Sequence, residues 1–143
     1  MDKLLLFLIC FNYFGTYLAY GIFPPYLPKV AGDQKGVDQQ TIGIIMCFWY
    51  LGYAVFAIGM SHVHKLLMTR KQCIIFGLVL LAVDLLFATL CDLIDDKLTY
   101  ILCYCMVRFM HGTAQAFIQV TLYSIIASCF QGEIAKVVGY VEF

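Results

Sequence analysis

Two ionisable residues, Asp84 and Arg108, stand inside long apolar runs of this 143-residue chain. A charge within a bilayer costs at least about 2.5 kcal/mol, so such groups persist where they have a partner or a task. If the runs are antiparallel helices joined by the turn at 92–97, the two residues lie within ~5 Å of the same depth. Pairing would lower the cost of both. Two readings stay open. The residues form a structural ion pair between two helices, or they belong to a proton- or substrate-responsive site. His111, Gln115 and Gln119 follow Arg108 at steps of three or four residues, which puts all four on one helix face. A polar face on a membrane helix points at a cavity or another helix, and histidine is the side chain whose charge changes nearest neutral pH. Mere hydrogen bonding to neighbouring helices is the plainer alternative for this stripe. Asn12 is a weaker candidate, better suited to a hydrogen bond between helices.

Other chemistry is poorly served. His62-x-His64 has a metal-like spacing, but no carboxylate or cysteine lies near it in sequence. It reads as part of a solvated basic loop with Lys65. The seven cysteines show no metal spacing and read as small apolar helix residues. There are no paired carboxylates in a cleft, no nucleophile beside a base and no phosphate-cradling glycine loop. Neither enzyme activity, nor a cofactor, nor a metal is expected. Nine basic and nine acidic residues cancel, which argues against nucleic acid as a partner.

The elements that must position these residues follow from hydropathy. Hydrophobic residues make up 63% of the chain and charged residues 13%, too few polar groups to coat a water-soluble domain. The lipid bilayer is therefore the expected partner. Four apolar stretches, about 4–27, 42–60, 72–91 and 98–130, are each near the ~20 residues that a 30 Å hydrocarbon core requires. Only helices and closed barrels satisfy every backbone group in lipid, and period-two alternation is missing, so the expected fold is an all-α polytopic membrane bundle. The prolines Pro24, Pro25 and Pro28 should kink or end the first span, followed by a polar loop from Lys29 to Gln40. Thr41 could cap the second span. Gly43, Gly52 and Gly59 suit close helix packing there, and Trp49 and Tyr50 should face protein or a cavity. The third span reads as partly lipid-facing. Val137 to Phe143 looks like the start of a fifth span, which suggests a fragment. The cluster Lys65, Arg70 and Lys71 carries most of a mild lysine and arginine bias that places the N-terminus in the cytoplasm.

Order and spacing of motifs resemble the N-terminal third of a major facilitator superfamily transporter. That family's second-to-third loop has the form Gly-x-x-x-Asp-Arg-x-Gly-Arg-Lys. Here Gly59 opens the segment and Arg70-Lys71 closes it, followed by Gln72-Cys73-Ile74-Ile75-Phe76-Gly77, with Val63 nearest the acidic position and Leu66 at the second glycine. The fourth span resembles the family's Arg-x-x-Gln-Gly motif as Arg108-Phe109-Met110-His111-Gly112-Thr113-Ala114-Gln115-Ala116, with His111 replacing the glutamine. Gly112 and Ala116 then serve helix packing beside Gly52. Pro24-Pro25-Tyr26-Leu27-Pro28 and Val138-Gly139-Tyr140-Val141-Glu142 are further likenesses.

The resemblance implies a twelve-helix fold in two six-helix halves with solute bound between them. It implies secondary transport of a small solute, with Arg108 in proton transfer. This chain would supply four helices and the beginning of a fifth. It is expected to need further helices of a longer protein, or other membrane subunits, as partners. A structural or accessory subunit derived from a transporter is the alternative.

Overall fold

The computed structural model describes residues 3–66 and 68–142, with side chains at all of these except 61–66. Five α-helices follow in order: α1 Lys3–Leu27, α2 Gln39–Leu66, α3 Arg70–Cys91, α4 Lys97–Cys129 and α5 Ile134–Glu142. No strand occurs among the described residues. The long helices run up and down. One apolar cluster joins Leu27 of α1, Ile45 of α2, Ala88 of α3 and Tyr104 of α4 at one end. A second joins Ile9 of α1, Ile126 of α4 and Val137 of α5 at the other.

The helix ends explain their boundaries. Thr69 and Gln72 form a reciprocal capping box on α3, satisfying two donors that a helix start leaves open. Asp96 caps α4 by accepting from the Thr99 amide at 2.8 Å and its hydroxyl at 2.6 Å. Asp38, not Thr41, begins α2, accepting from the Thr41 amide at 3.0 Å and hydroxyl at 2.8 Å. These bonds, the Thr41 hydroxyl first for Asp38 and the Thr99 hydroxyl first for Asp96, hold both carboxyls below the usual carboxylate range.

Three sequence expectations change. The prolines do not end α1, which runs through Pro24 and Pro25 to Leu27. It continues as a π-helical turn over Pro28–Gln34, where the wider i→i+5 winding accommodates a proline that donates nothing. Most of the expected polar loop is thus helical. The second-to-third loop is shorter than expected too, because α2 continues to Leu66 and Arg70 and Lys71 already belong to α3. The side chains of His62, Val63, His64, Lys65 and Leu66 lie outside the described residues.

Three helical segments, Lys3–Gln34, Gln39–Met60 and Arg70–Cys91, are long and apolar enough to cross a membrane. Alone among the four long helices, α4 fails this test despite its 33 residues. The reason is positional. From His111 to Gln119 every residue of α4 is buried, so this stretch needs no apolar face against lipid, whereas Leu98, Leu102 and Met106 of the first half are exposed. The outward faces of α1 and α3 supply that contact through Phe7, Phe11, Leu18, Val79, Leu86 and Leu90, a surface unsuited to water.

Candidate functional site

Small residues bring the helices close enough to build the site. A Cβ at Gly52 would run into the Phe109 carbonyl, and one at Gly112 into the Trp49 carbonyl. The two glycines therefore let α2 and α4 cross backbone on backbone, as close-packed membrane helices do. Ala116, fully buried, lies one turn beyond Gly112. On the opposite side of α4, a Cβ at Gly77 of α3 would lie 3.0 Å from the Ala114 carbonyl. With both neighbours held this near, the polar stripe of α4 is enclosed between α1, α2 and α3.

Asp84 on α3 and His111 on α4 meet there. Asp84 Oδ2 lies 2.8 Å from His111 Nδ1, and both side chains are fully buried. The two atoms share one hydrogen bond, which Nδ1 donates when the carboxyl is ionised. Asp84 Oδ1 and His111 Nε2 have no hydrogen-bond partner. The expected pairing of Asp84 with Arg108 is therefore replaced by a pairing one helical turn further on. Burial of an unscreened carboxylate is compensated by the imidazole.

Arg108 is fully buried, and none of its three guanidinium nitrogens has a hydrogen-bond partner. Its contacts are aromatic instead. The guanidinium carbon sits 4.5 Å from the Phe23 ring centre and 5.4 Å from that of Tyr20, both on α1, within cation–π range. Phe23 also meets the His111 ring edge to face at 5.3 Å. Two turns along α4, the Gln115 carbonyl oxygen accepts from Trp49 Nε1 at 3.2 Å, while its amide nitrogen has no partner. Trp49 packs on Tyr20 at 4.7 Å and on Tyr50 at 4.5 Å. Gln119 is buried at the far end of the stripe.

Other candidates fall elsewhere. Asn12 donates to the Leu8 carbonyl of its own helix at 2.9 Å, so it bonds locally and not across helices. Tyr50 is 59% exposed, so of the two surroundings expected for it, protein or a cavity, it is not packed in protein among the described residues. Arg70 donates to the Ser128 hydroxyl at 2.7 Å, tying α3 to the last turn of α4. Lys71 is exposed, and open space surrounds Gly59. These three lie toward one end of the bundle.

Sequence reasoning missed the aromatic partners. Tyr20 and Phe23 sit three residues apart on α1, and the buried stripe Ile9, Tyr13, Thr16, Ala19, Phe23 and Leu27 was a readable signal. It also missed a polar knot at the other end. There Asp92 accepts from the hydroxyls of Tyr26, at 2.5 Å, and Tyr104, at 2.9 Å. Lys35 pairs with Asp95 at 3.4 Å, and Lys97 donates to the Gly36 carbonyl at 2.6 Å. A crevice of about 280 Å³ runs from Asp92 past Thr89 and Leu85 to Phe23.

The Major Facilitator Superfamily model matches residues 5–143. The chain is 28% identical over 132 residues to the MFS-type transporter SLC18B1 of Homo sapiens. That match takes in 90% of this chain but 28% of the relative, so the chain spans little more than a quarter of its length. No solved structure matches the chain.

Proposed function

This chain belongs to the Major Facilitator Superfamily, and we propose that it forms part of a secondary transporter that couples proton movement to the passage of a small solute. It is a helical integral membrane protein, with three segments able to span a bilayer and α4 enclosed among them. The observation that carries the reading is the buried Asp84–His111 pair with an unbonded Arg108 one turn away. A structural ion pair alone would satisfy its donors. This group keeps a carboxylate oxygen, an imidazole nitrogen and a whole guanidinium in reserve at mid-bundle. Such reserve suits groups that change partners during a cycle. Gln115, Gln119 and Trp49 would extend the same lining toward the other end, and Gly52, Gly112 and Ala116 hold the helices that carry it. Within this reading Asn12 is dropped from the pathway.

The remaining helices of the two-half fold would come from a longer protein or from associated subunits. The N-terminus would face the cytoplasm, with Arg70, Lys71 and Lys136 on that side.

The test uses the assembly that purifies with the tagged chain, reconstituted in proteoliposomes loaded with the proton indicator pyranine. A panel of sugars, amino acids and organic ions is added outside. Solute-dependent proton movement is expected in the wild type and lost in Arg108→Ala and His111→Gln. Unchanged proton movement in both variants would reject the role assigned to this site. A wild-type assembly that moves neither protons nor any member of the panel would favour an accessory subunit.

A further inference from the structure

We infer that the rings of Phe23 and Tyr20 act as a clamp that withholds Arg108 from Asp84, so that α1 decides which basic group the carboxylate holds. The inference deepens the proton-coupled reading and rests on it for its consequence, though not for its geometry. Asp84 has one oxygen bonded to His111 and one oxygen without a partner. Arg108 lies within electrostatic reach of that carboxylate yet makes no hydrogen bond to it. A guanidinium carries five donors in a planar fork suited to a carboxylate. Left to itself in a low-dielectric interior, it would take the free oxygen. What holds it is on another helix: two α1 ring faces at 4.5 and 5.4 Å.

The surrounding groups set no rival trap. Around Arg108 stand Asp84 from α3, Tyr20 from α1, Tyr50 from α2, and Tyr104 and His111 from α4 itself. Asp84 is the one acid among these. Retreat of α1 would remove the rings and leave that carboxylate as the remaining anchor for the guanidinium. Arg108 would then donate to Asp84 Oδ1, and the carboxylate would be shared between the guanidinium and the His111 ring. Phe23 lies in edge contact with that same ring, so one helix movement acts on both basic groups. Phe23 and Tyr20 are thus positioning residues that act on Asp84 through Arg108, and Phe23 also touches the His111 ring directly.

The experiment is isotope-edited infrared spectroscopy of the full chain in lipid nanodiscs, with the Asp84 band identified by subtraction of Asp84→Asn. A cation–π contact in a desolvated site is worth enough to change the ratio of ring-held to carboxylate-held Arg108 by about thirtyfold. Phe23→Leu is expected to move the Asp84 carboxylate band, and Phe23→Tyr, which keeps the ring, to leave it in place. Tyr20→Leu, at a half-buried position, should move it the same way with less loss of packing. In an Arg108→Gln background Tyr20→Leu should have no effect, and Phe23→Leu should keep only what its edge contact with the His111 ring contributes. A band unmoved in both leucine variants, or moved equally without Arg108, overturns the clamp. These spectra read partner exchange whether or not solute is transported, so failure of the clamp and failure of the transport reading are separable. If both hold, the pH profile of flux moves in Phe23→Leu and stays in place in Phe23→Tyr.

Discussion

Replacing Gly112 by alanine tests whether the α2–α4 crossing is what sets the site. The added methyl would meet the Trp49 carbonyl and lie 2.8 Å from the Tyr53 backbone nitrogen, against an ordinary minimum of 3.4 Å. Both obstacles are backbone, so no side chain can rotate away. The helices must separate by about 0.6 Å at the Tyr53 contact, and further at the carbonyl, to restore van der Waals distance. The Trp49–Gln115 bond spans the same gap at 3.2 Å. The same displacement carries it to about 3.8 Å, beyond hydrogen-bonding range. Overpacking of this kind costs about 1–3 kcal/mol. Trp49 is the sole tryptophan of the chain, so its fluorescence reports the crossing without labels. Gly112→Ala should shift the emission maximum and lower the midpoint of denaturation by sodium dodecyl sulfate in mixed micelles. Gly43→Ala, where a methyl meets open space, should leave the emission unchanged and should not lower the midpoint. An unaltered emission spectrum and midpoint in Gly112→Ala would show that the helices are not held together at this glycine.

Two further outcomes are expected. Asp84→Ala and His111→Ala should each lower bundle stability by about 3 kcal/mol, because each strips a buried partner from the other. The double variant should then cost less than the sum of the two, and strict additivity in the same micelle assay would contradict the direct pairing. The second outcome concerns pH. The caps Asp38 and Asp96 have carboxyls held below their unfolded range of about 3.9 by bonds from Thr41 and Thr99. A depressed carboxyl contributes stability that is present above the unfolded value and lost as pH falls through the folded one. Protection of the amides at the first turns of α2 and α4, relative to an unstructured peptide at the same pH, should therefore fall on acidification below about pH 4. Asn at both positions, which caps without a charge, should remove that dependence, and an unchanged acid response in the Asn variants would rule out the two caps as its source.

Much of the architecture was readable one residue at a time. Apolar length gives the helices because lipid offers backbone groups no other partner. Period 3.6 put Arg108, His111, Gln115 and Gln119 on one face, since the geometry of a single helix settles that. Glycine at 52 and 112 signalled close approach for the same local reason. The prolines of α1 misled because their cost depends on whether a π turn can absorb them. Thr41 misled because either of two neighbouring polar residues could start the helix, and the backbone chose Asp38.

The choice between Arg108 and His111 as partner for Asp84 lay beyond sequence. The two candidates are one turn apart, so a shift of about 5 Å between α3 and α4 exchanges them. That register is decided by where Gly77 meets Ala114, a contact between helices with no local signature. The aromatic hold on Arg108 depends on a third helix, α1, which follows its own periodicity. From the sequence came a set of rods and the faces they present. Which faces meet, and therefore which charges find a hydrogen-bond partner and which do not, was decided by packing among helices distant along the chain.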